Sequence, residues 1–173
     1  KGVVTHSSGN FAQALSLGAK SLNVPAYIVM PESAADVKQE AVKNYKGILF
    51  ECKSTLKDRE DKANEIVREK GACFIHPSND LNVIIGQGTA CKELLEKKTD
   101  LDFVFVPVGG GGLIAGSALA AKYFGKNCKV VGGEPFEVDD AYRSLKSGKI
   151  ETNLSTNTIA DGLKTQLGDI NFP

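Results

Sequence analysis

The sequence predicts an α/β protein of two lobes, each a parallel sheet flanked by helices. Short apolar runs alternate with stretches of helical period along the chain, the pattern of strands joined by helical crossovers. An aperiodic polar break at residues 76–81 separates two such sets. A run of four glycines joins a strand-like segment to a helix-like one, a place where α/β proteins bind ligands.

Each element follows from local pattern. Residues 2–5 form a short apolar run. In residues 11–21 and just beyond, Ala12, Leu15, Ala19 and Leu22 recur at helical spacing. Residues 26–30 read as a strand closed by Pro31, and Asp36 is placed to cap a helix reaching about residue 45. Residues 48–51 form a third strand. Residues 56–70 form a charged helix ended by Gly71, and residues 72–75 a fourth strand ended by His76-Pro77.

The second set opens with a helix over residues 83–98, despite Gly86 and Gly88. Residues 103–108 are continuously apolar, as in a parallel strand covered on both faces. Residues 113–124 form a helix rich in small side chains, and residues 129–132 a strand running into Glu134-Pro135. From Asp140 a short helix leads into a loop rich in Asn, Thr and Ser. Both ends of the sequence are abrupt, which predicts a fragment of a longer protein.

Composition excludes several classes. Lys plus Arg and Asp plus Glu number 21 each, so no net basic field draws the chain to nucleic acid or anionic lipid. No uncharged apolar run has the length of a membrane helix, and no signal peptide is visible. Cys52, Cys73, Cys91 and Cys128 are too scattered for a metal knuckle or a redox pair. Such thiols are expected in the core of a cytoplasmic protein.

Three turns carry candidate chemistry. In Gly109-Gly110-Gly111-Gly112-Leu113, backbone N–H groups can converge on an anion with no Cβ in the way, and the following helix adds its positive end. No Lys-Ser or Lys-Thr follows, so this is not a Walker A loop, and it is a poor dinucleotide fingerprint. Phosphate binding is the reading, against a tight strand-to-helix turn. Ser7-Ser8-Gly9-Asn10 offers hydroxyls and an amide at a second helix start, suited to a carboxylate or equally to a plain helix cap. Glu134 to Asp140 offers carboxylates after a strand, either a solvated acidic loop or hard oxygen ligands for Mg²⁺, Ca²⁺ or Mn²⁺.

Taken in order, Ser7-Ser8-Gly9-Asn10, the Pro25–Pro31 strand, Gly86-Gln87-Gly88-Thr89, Val108–Leu113, Glu134-Pro135 and Thr158-Ile159-Ala160-Asp161-Gly162 resemble the fold-type II pyridoxal-phosphate enzymes. The branch is that of serine racemase and the serine/threonine dehydratases. The resemblance implies a small, substrate-closing lobe over residues 2–79 and part of a large cofactor-binding lobe over residues 80–173, with pyridoxal 5'-phosphate between them. Gly109, Gly110, Gly111, Gly112 and Leu113 would hold the phosphate, and Asn10 the ring hydroxyl. Ser7, Ser8 and Asn10 would receive the substrate carboxylate, with Arg59 closing over it. Read without the family, Arg59 is one more charge on an exposed helix.

Ser8 separates the branches. Plain dehydratases of the family tend to carry Ser-Ala-Gly-Asn here, whereas racemases resemble Ser-Ser-Gly-Asn. Racemisation needs an acid/base on each face of a planar carbanion, and Ser8 would serve one of them. Phe11 departs from the pattern, since relatives usually carry His there, and His6 and His76 read as structural. Matching metal ligands are Glu134, the carbonyl of Val138 and Asp140. Gln13, Lys38 and Tyr45 match part of an ATP effector site at the dimer interface of some relatives.

The resemblance therefore implies a homodimeric serine racemase that also eliminates water from serine, giving pyruvate and ammonia. A threonine or 3-hydroxyaspartate dehydratase is the nearest alternative. The family's lysine segment, which bonds the cofactor aldehyde, lies upstream of the Ser-Ser-Gly-Asn turn and is not among these residues. The isolated chain is thus expected to be inactive, and a non-catalytic module binding a phosphorylated ligand is the reading from another class.

Overall fold

Residues 1–172 are described by a computed structural model, so Pro173, the last residue of the expected large-lobe segment, lies outside the described residues. The chain divides into two units, Lys1–Pro77 and Ser78–Pro173.

The first unit is a four-stranded parallel sheet with its helices. β1 (Val3–His6), β2 (Ala26–Pro31), β3 (Ile48–Cys52) and β4 (Cys73–Phe74) lie in the order β3-β2-β1-β4. Every neighbouring pair is parallel, with Val3 opposite Ala26 and Cys73, and Tyr27 opposite Ile48. α1 (Asn10–Ser21), α2 (Asp36–Asn44) and α3 (Leu56–Lys70) connect the strands. Alternation sorts the strand side chains between two apolar clusters. Ile28 and Met30 pack with Ala12, Ala19 and Val42 on the α1/α2 side. Val4 and Val29 pack with Ala63 and Ile66 of α3 on the other.

α3 ends at Gly71 as expected and starts at a cap that was not expected. The Thr55 hydroxyl accepts the Asp58 N–H at 3.1 Å, and Gly71 closes the helix in the left-handed region at φ 61°. One local expectation is corrected. Asp36 does not cap α2. Ala35 occupies that position without a side-chain bond, and Asp36 lies in the first turn, where its charge meets the helix dipole. Pro31 ends β2 as expected, but from inside the strand, pairing with Cys52 as its last residue.

The second unit holds α4 (Leu81–Lys97), β5 (Phe103–Pro107), α5 (Gly112–Phe124), β6 (Lys129–Gly133) and α6 (Asp140–Ser147). Two short 3₁₀ turns, Asp161–Leu163 and Asp169–Asn171, follow. α4 begins two residues before its predicted start because Asp80 accepts the N–H groups of Asn82 and Val83 at 2.8 and 3.2 Å. β5 and β6 form a parallel pair, Phe103 opposite Lys129.

Within these residues β5 is covered on one face only. Val104 packs on the cluster of Cys91, Leu95, Ala120 and Ala121, and Val106 is buried, but Phe103 and Phe105 are 52% and 75% exposed. Period-two alternation turns them to the face opposite the helices. The cysteines are free, and only Cys91 is fully buried, while Cys73 is exposed, so they are not uniformly core residues. Among the described residues no helix is long and apolar enough to cross a membrane.

Candidate functional site

In the first unit, the candidate residues gather at the carboxyl end of β1. The chain leaves β1 for β2 on one side, whereas β4 pairs on the other. That makes the β1 end a topological switch point, where open α/β sheets bind ligands. Ser7, Ser8 and Gly9 form the turn there, and α1 starts at Asn10.

The capping question posed by this turn has an answer. Gly9 is the N-cap of α1 and no side chain caps the helix. Ser7 Oγ accepts only a long 3.4 Å bond from the Gly9 N–H. Among the described residues neither the Ser8 hydroxyl nor the Asn10 amide makes a hydrogen bond. The turn thus presents an uncapped helix N-terminus with the Ser8 and Asn10 side chains unspent, an arrangement able to accept a carboxylate.

Arg59 belongs to the same end. Its Nε donates to the Thr55 carbonyl at 3.4 Å in the first turns of α3, and its charge reaches His6. His6 is only 5% exposed and stacks against Phe74 and edge-on to His76, each at 5.4 Å between ring centroids. Burial, then the charges of His76 and Arg59, push the His6 imidazole down to about 4. At neutral pH it is an uncharged ring packed on Phe74 and His76 at the end of β1. The structural role expected for His6 is consistent with this packing.

In the second unit, Gly109 to Gly112 link β5 to α5. Gly111 is the N-cap of α5 at φ 88°, a left-handed conformation that favours glycine, and no side chain caps that helix either. A Cβ on Gly110 would lie 2.2 Å from Ser78 Oγ. Close packing is therefore one physical reason for the glycines, and the uncapped N–H groups at Gly112 and Leu113 are the other. The packing alone accounts for a tight turn, whereas the uncapped N–H groups suit a phosphate, so the loop fits that part of the expected cofactor.

The residues that brace this loop escaped sequence reasoning. Asn171 Nδ2 donates to the Gly110 carbonyl at 2.7 Å and to the Ser78 carbonyl at 3.1 Å. The Gly168 N–H also reaches the Gly110 carbonyl, at 3.2 Å. These partners lie 61 and 93 residues from Asn171 for the side-chain bonds, so no local pattern announces them.

The acidic loop is ordered from within. Both Glu134 oxygens accept backbone N–H groups at the start of α6, from Ala141 at 3.1 Å and Tyr142 at 2.8 Å. Asp140, 1% exposed, accepts the Leu167 N–H at 2.7 Å. Burial raises the Glu134 pKa, backbone bonds oppose this, and the charges of Asp140 and Asp139 raise it further. Carboxylates that feel each other's charge are of the ligand type a hard cation takes. Among the described residues no group of three or more His, Cys, Asp or Glu side chains is placed to hold a metal. A site here would need the Val138 carbonyl and water. Gln13 lies on α1, Lys38 on α2, and Tyr45 just after α2.

Comparison with known proteins bears on the whole chain. The profile of the family described as pyridoxal-phosphate dependent enzyme matches residues 1–173. Serine racemase of Arabidopsis thaliana is 49% identical over 173 residues, which is 100% of this chain and 52% of the relative. L-threo-3-hydroxyaspartate ammonia-lyase of Saccharomyces cerevisiae is 47% identical, over 99% of this chain and 53% of the relative. The solved structure of maize serine racemase superposes with a TM-score of 0.94 at 46% identity, covering 99% of this chain and 52% of the other. The chain thus spans about half the length of the curated relatives it matches. With the parallel sheets, the uncapped Ser-Ser-Gly-Asn turn and the glycine loop already in place, the chain belongs to the pyridoxal-phosphate dependent enzymes, with their fold-type II architecture.

Proposed function

We propose that the full-length protein is a pyridoxal-phosphate serine racemase that also eliminates water from serine to give pyruvate and ammonia. The observation that carries this reading is the Ser8 hydroxyl, unspent in a turn that needs no side-chain cap, at the switch point of the first sheet.

When bound, the cofactor supplies an electron sink for the charge left as the α-proton departs. The chain's own residues divide the remaining work. Gly109 to Gly112 and Leu113 hold the phosphate through backbone N–H groups and the α5 dipole. Asn10 bonds the cofactor ring hydroxyl. Ser7, Ser8 and Asn10 receive the substrate carboxylate, with the Arg59 cation completing the charge balance. Ser8 Oγ exchanges the α-proton on one face, while a second base serves the other. Neutral His6 at the end of β1 adds no competing positive charge. Reprotonation on the second face would invert serine, whereas loss of the β-hydroxyl, protonated to leave as water, would give an enamine that takes up water to release ammonia and pyruvate.

Glu134, the Val138 carbonyl and Asp140 would hold a Mg²⁺, Ca²⁺ or Mn²⁺ ion in this reading, which rests on the oxygen chemistry of these residues between β6 and the start of α6. A homodimer, a cytoplasmic location and an ATP effector contacted by Gln13, Lys38 and Tyr45 complete it.

A second reading, a 3-hydroxyaspartate or threonine dehydratase, draws on the yeast ammonia-lyase at nearly the same identity. Assay of the full-length protein with L-serine, 3-hydroxyaspartate and L-threonine separates the two. The proposal expects D-serine and pyruvate from L-serine. Oxaloacetate or 2-oxobutyrate from the other substrates, without D-serine, overturns it.

A further inference from the structure

The Gly110 carbonyl receives two donors, the Gly168 N–H at 3.2 Å and Asn171 Nδ2 at 2.7 Å. This carbonyl belongs to the peptide that also carries the Gly111 N–H. A trans peptide is planar, so its C=O and N–H point in opposite directions. Fixing the Gly110 carbonyl toward residues 168–171 therefore fixes the Gly111 N–H away from them. Glycines on both sides of this peptide would otherwise let it rotate at little cost, since each tolerates dihedrals closed to other residues.

Asn171 is built to make this bond. The same Nδ2 group holds the Ser78 carbonyl at 3.1 Å, so both of its hydrogens are used on loop-forming backbone. Its Oδ1 is buried without a partner. The opposite amide orientation would set that oxygen against two carbonyl oxygens, so the donor arrangement is the favoured one. Leu167 closes the other side: a Cβ on Gly111 would lie 2.6 Å from Leu167 Cδ1 and 2.8 Å from Asn171 Cβ. The segment from Leu167 to Asn171 is thus a brace lying against Gly110 and Gly111.

We infer that Asn171 is a positioning residue for the anion-binding loop, locking the Gly110–Gly111 peptide so that the Gly111 N–H is preset for the cofactor phosphate. This rests on the phosphate reading of the loop. Asn171 touches no reacting atom and acts through one peptide plane.

The test uses the full-length apoprotein and its Asn171→Ala and Asn171→Asp variants, titrated with pyridoxal 5'-phosphate and with pyridoxal, which lacks the phosphate. Losing one preset charge-assisted donor predicts about tenfold weaker binding of the phosphorylated form, with pyridoxal binding unchanged. A purely structural role for Asn171 weakens both ligands alike, and that result overturns the inference, as does full retention of the phosphate preference in both variants. Wild-type protein that binds the two ligands equally sinks the phosphate reading itself. Should neither variant fold, the Gly111 amide resonance of wild-type apoprotein is followed while inorganic phosphate is added. Movement of that resonance supports the inference, and an unmoved one overturns it.

Discussion

His6 is held neutral by its surroundings, and this makes the fold sensitive to acid. Its native pKa is about 4, against 6.5 for the free side chain. Between those values the unfolded chain binds more protons than the native one, so stability rises with pH across this window. The contribution is complete above about pH 6.5 and is lost as pH falls toward 4, amounting to about 3 kcal/mol. Urea unfolding across this range is expected to show the slope in wild type and a flatter profile in His6→Gln. At the same sheet end, Ser8→Ala removes the one hydroxyl assigned to proton transfer. D-serine formation is expected to fall by about 10²–10⁴-fold while pyruvate formation persists, as read by chiral chromatography and a pyruvate assay. Equal loss of both products points to a binding role only.

The elements themselves explain which features were readable. α3 is legible because its signals are local: charged surface residues, and Gly71 at φ 61°, with the Thr55 cap at its start seen only in the structure. Thr55→Ala is expected to cost about 1 kcal/mol, seen as a lower thermal midpoint. α4 was legible in spite of its glycines, and the structure separates their roles. A Cβ on Gly116 of α5 would lie 2.2 Å from the Ile84 carbonyl oxygen and 2.6 Å from the Gly88 nitrogen, so this pair lets two helices cross at backbone contact. Nothing lies within 4 Å of a Cβ on Gly86. Gly116→Ala is expected to destabilise by roughly 1–3 kcal/mol or more through overpacking. Gly86→Ala is expected to stabilise by about 0.5–1 kcal/mol, the ordinary helix preference. Thermal melts of the two variants give opposite shifts if this is right. What could not be read was non-local. The Asn171 brace joins residues 61 apart, and the exposed face of β5 depends on which strands and helices pack against it. The misplaced cap at Asp36 has a smaller cause, because an acidic residue is favourable both at the cap and one position inside it.

At the scale of the molecule, α1 and α5 each start directly after a parallel strand with no side-chain cap, at Asn10 and at Gly112, and each start carries the residues singled out in the sequence. Each turn by itself is suited to an anion, and the proposed function assigns a carboxylate to the first and a phosphate to the second. Family membership and roughly half-length coverage of the relatives make the full-length protein the object to test. The most direct measurement is an absorption titration of full-length apoprotein with pyridoxal 5'-phosphate, followed by L-serine. The account predicts a saturable visible band that shifts when serine is added and is weakened when Asn171 is replaced by Ala. No band, or a band that serine leaves unchanged, contradicts it.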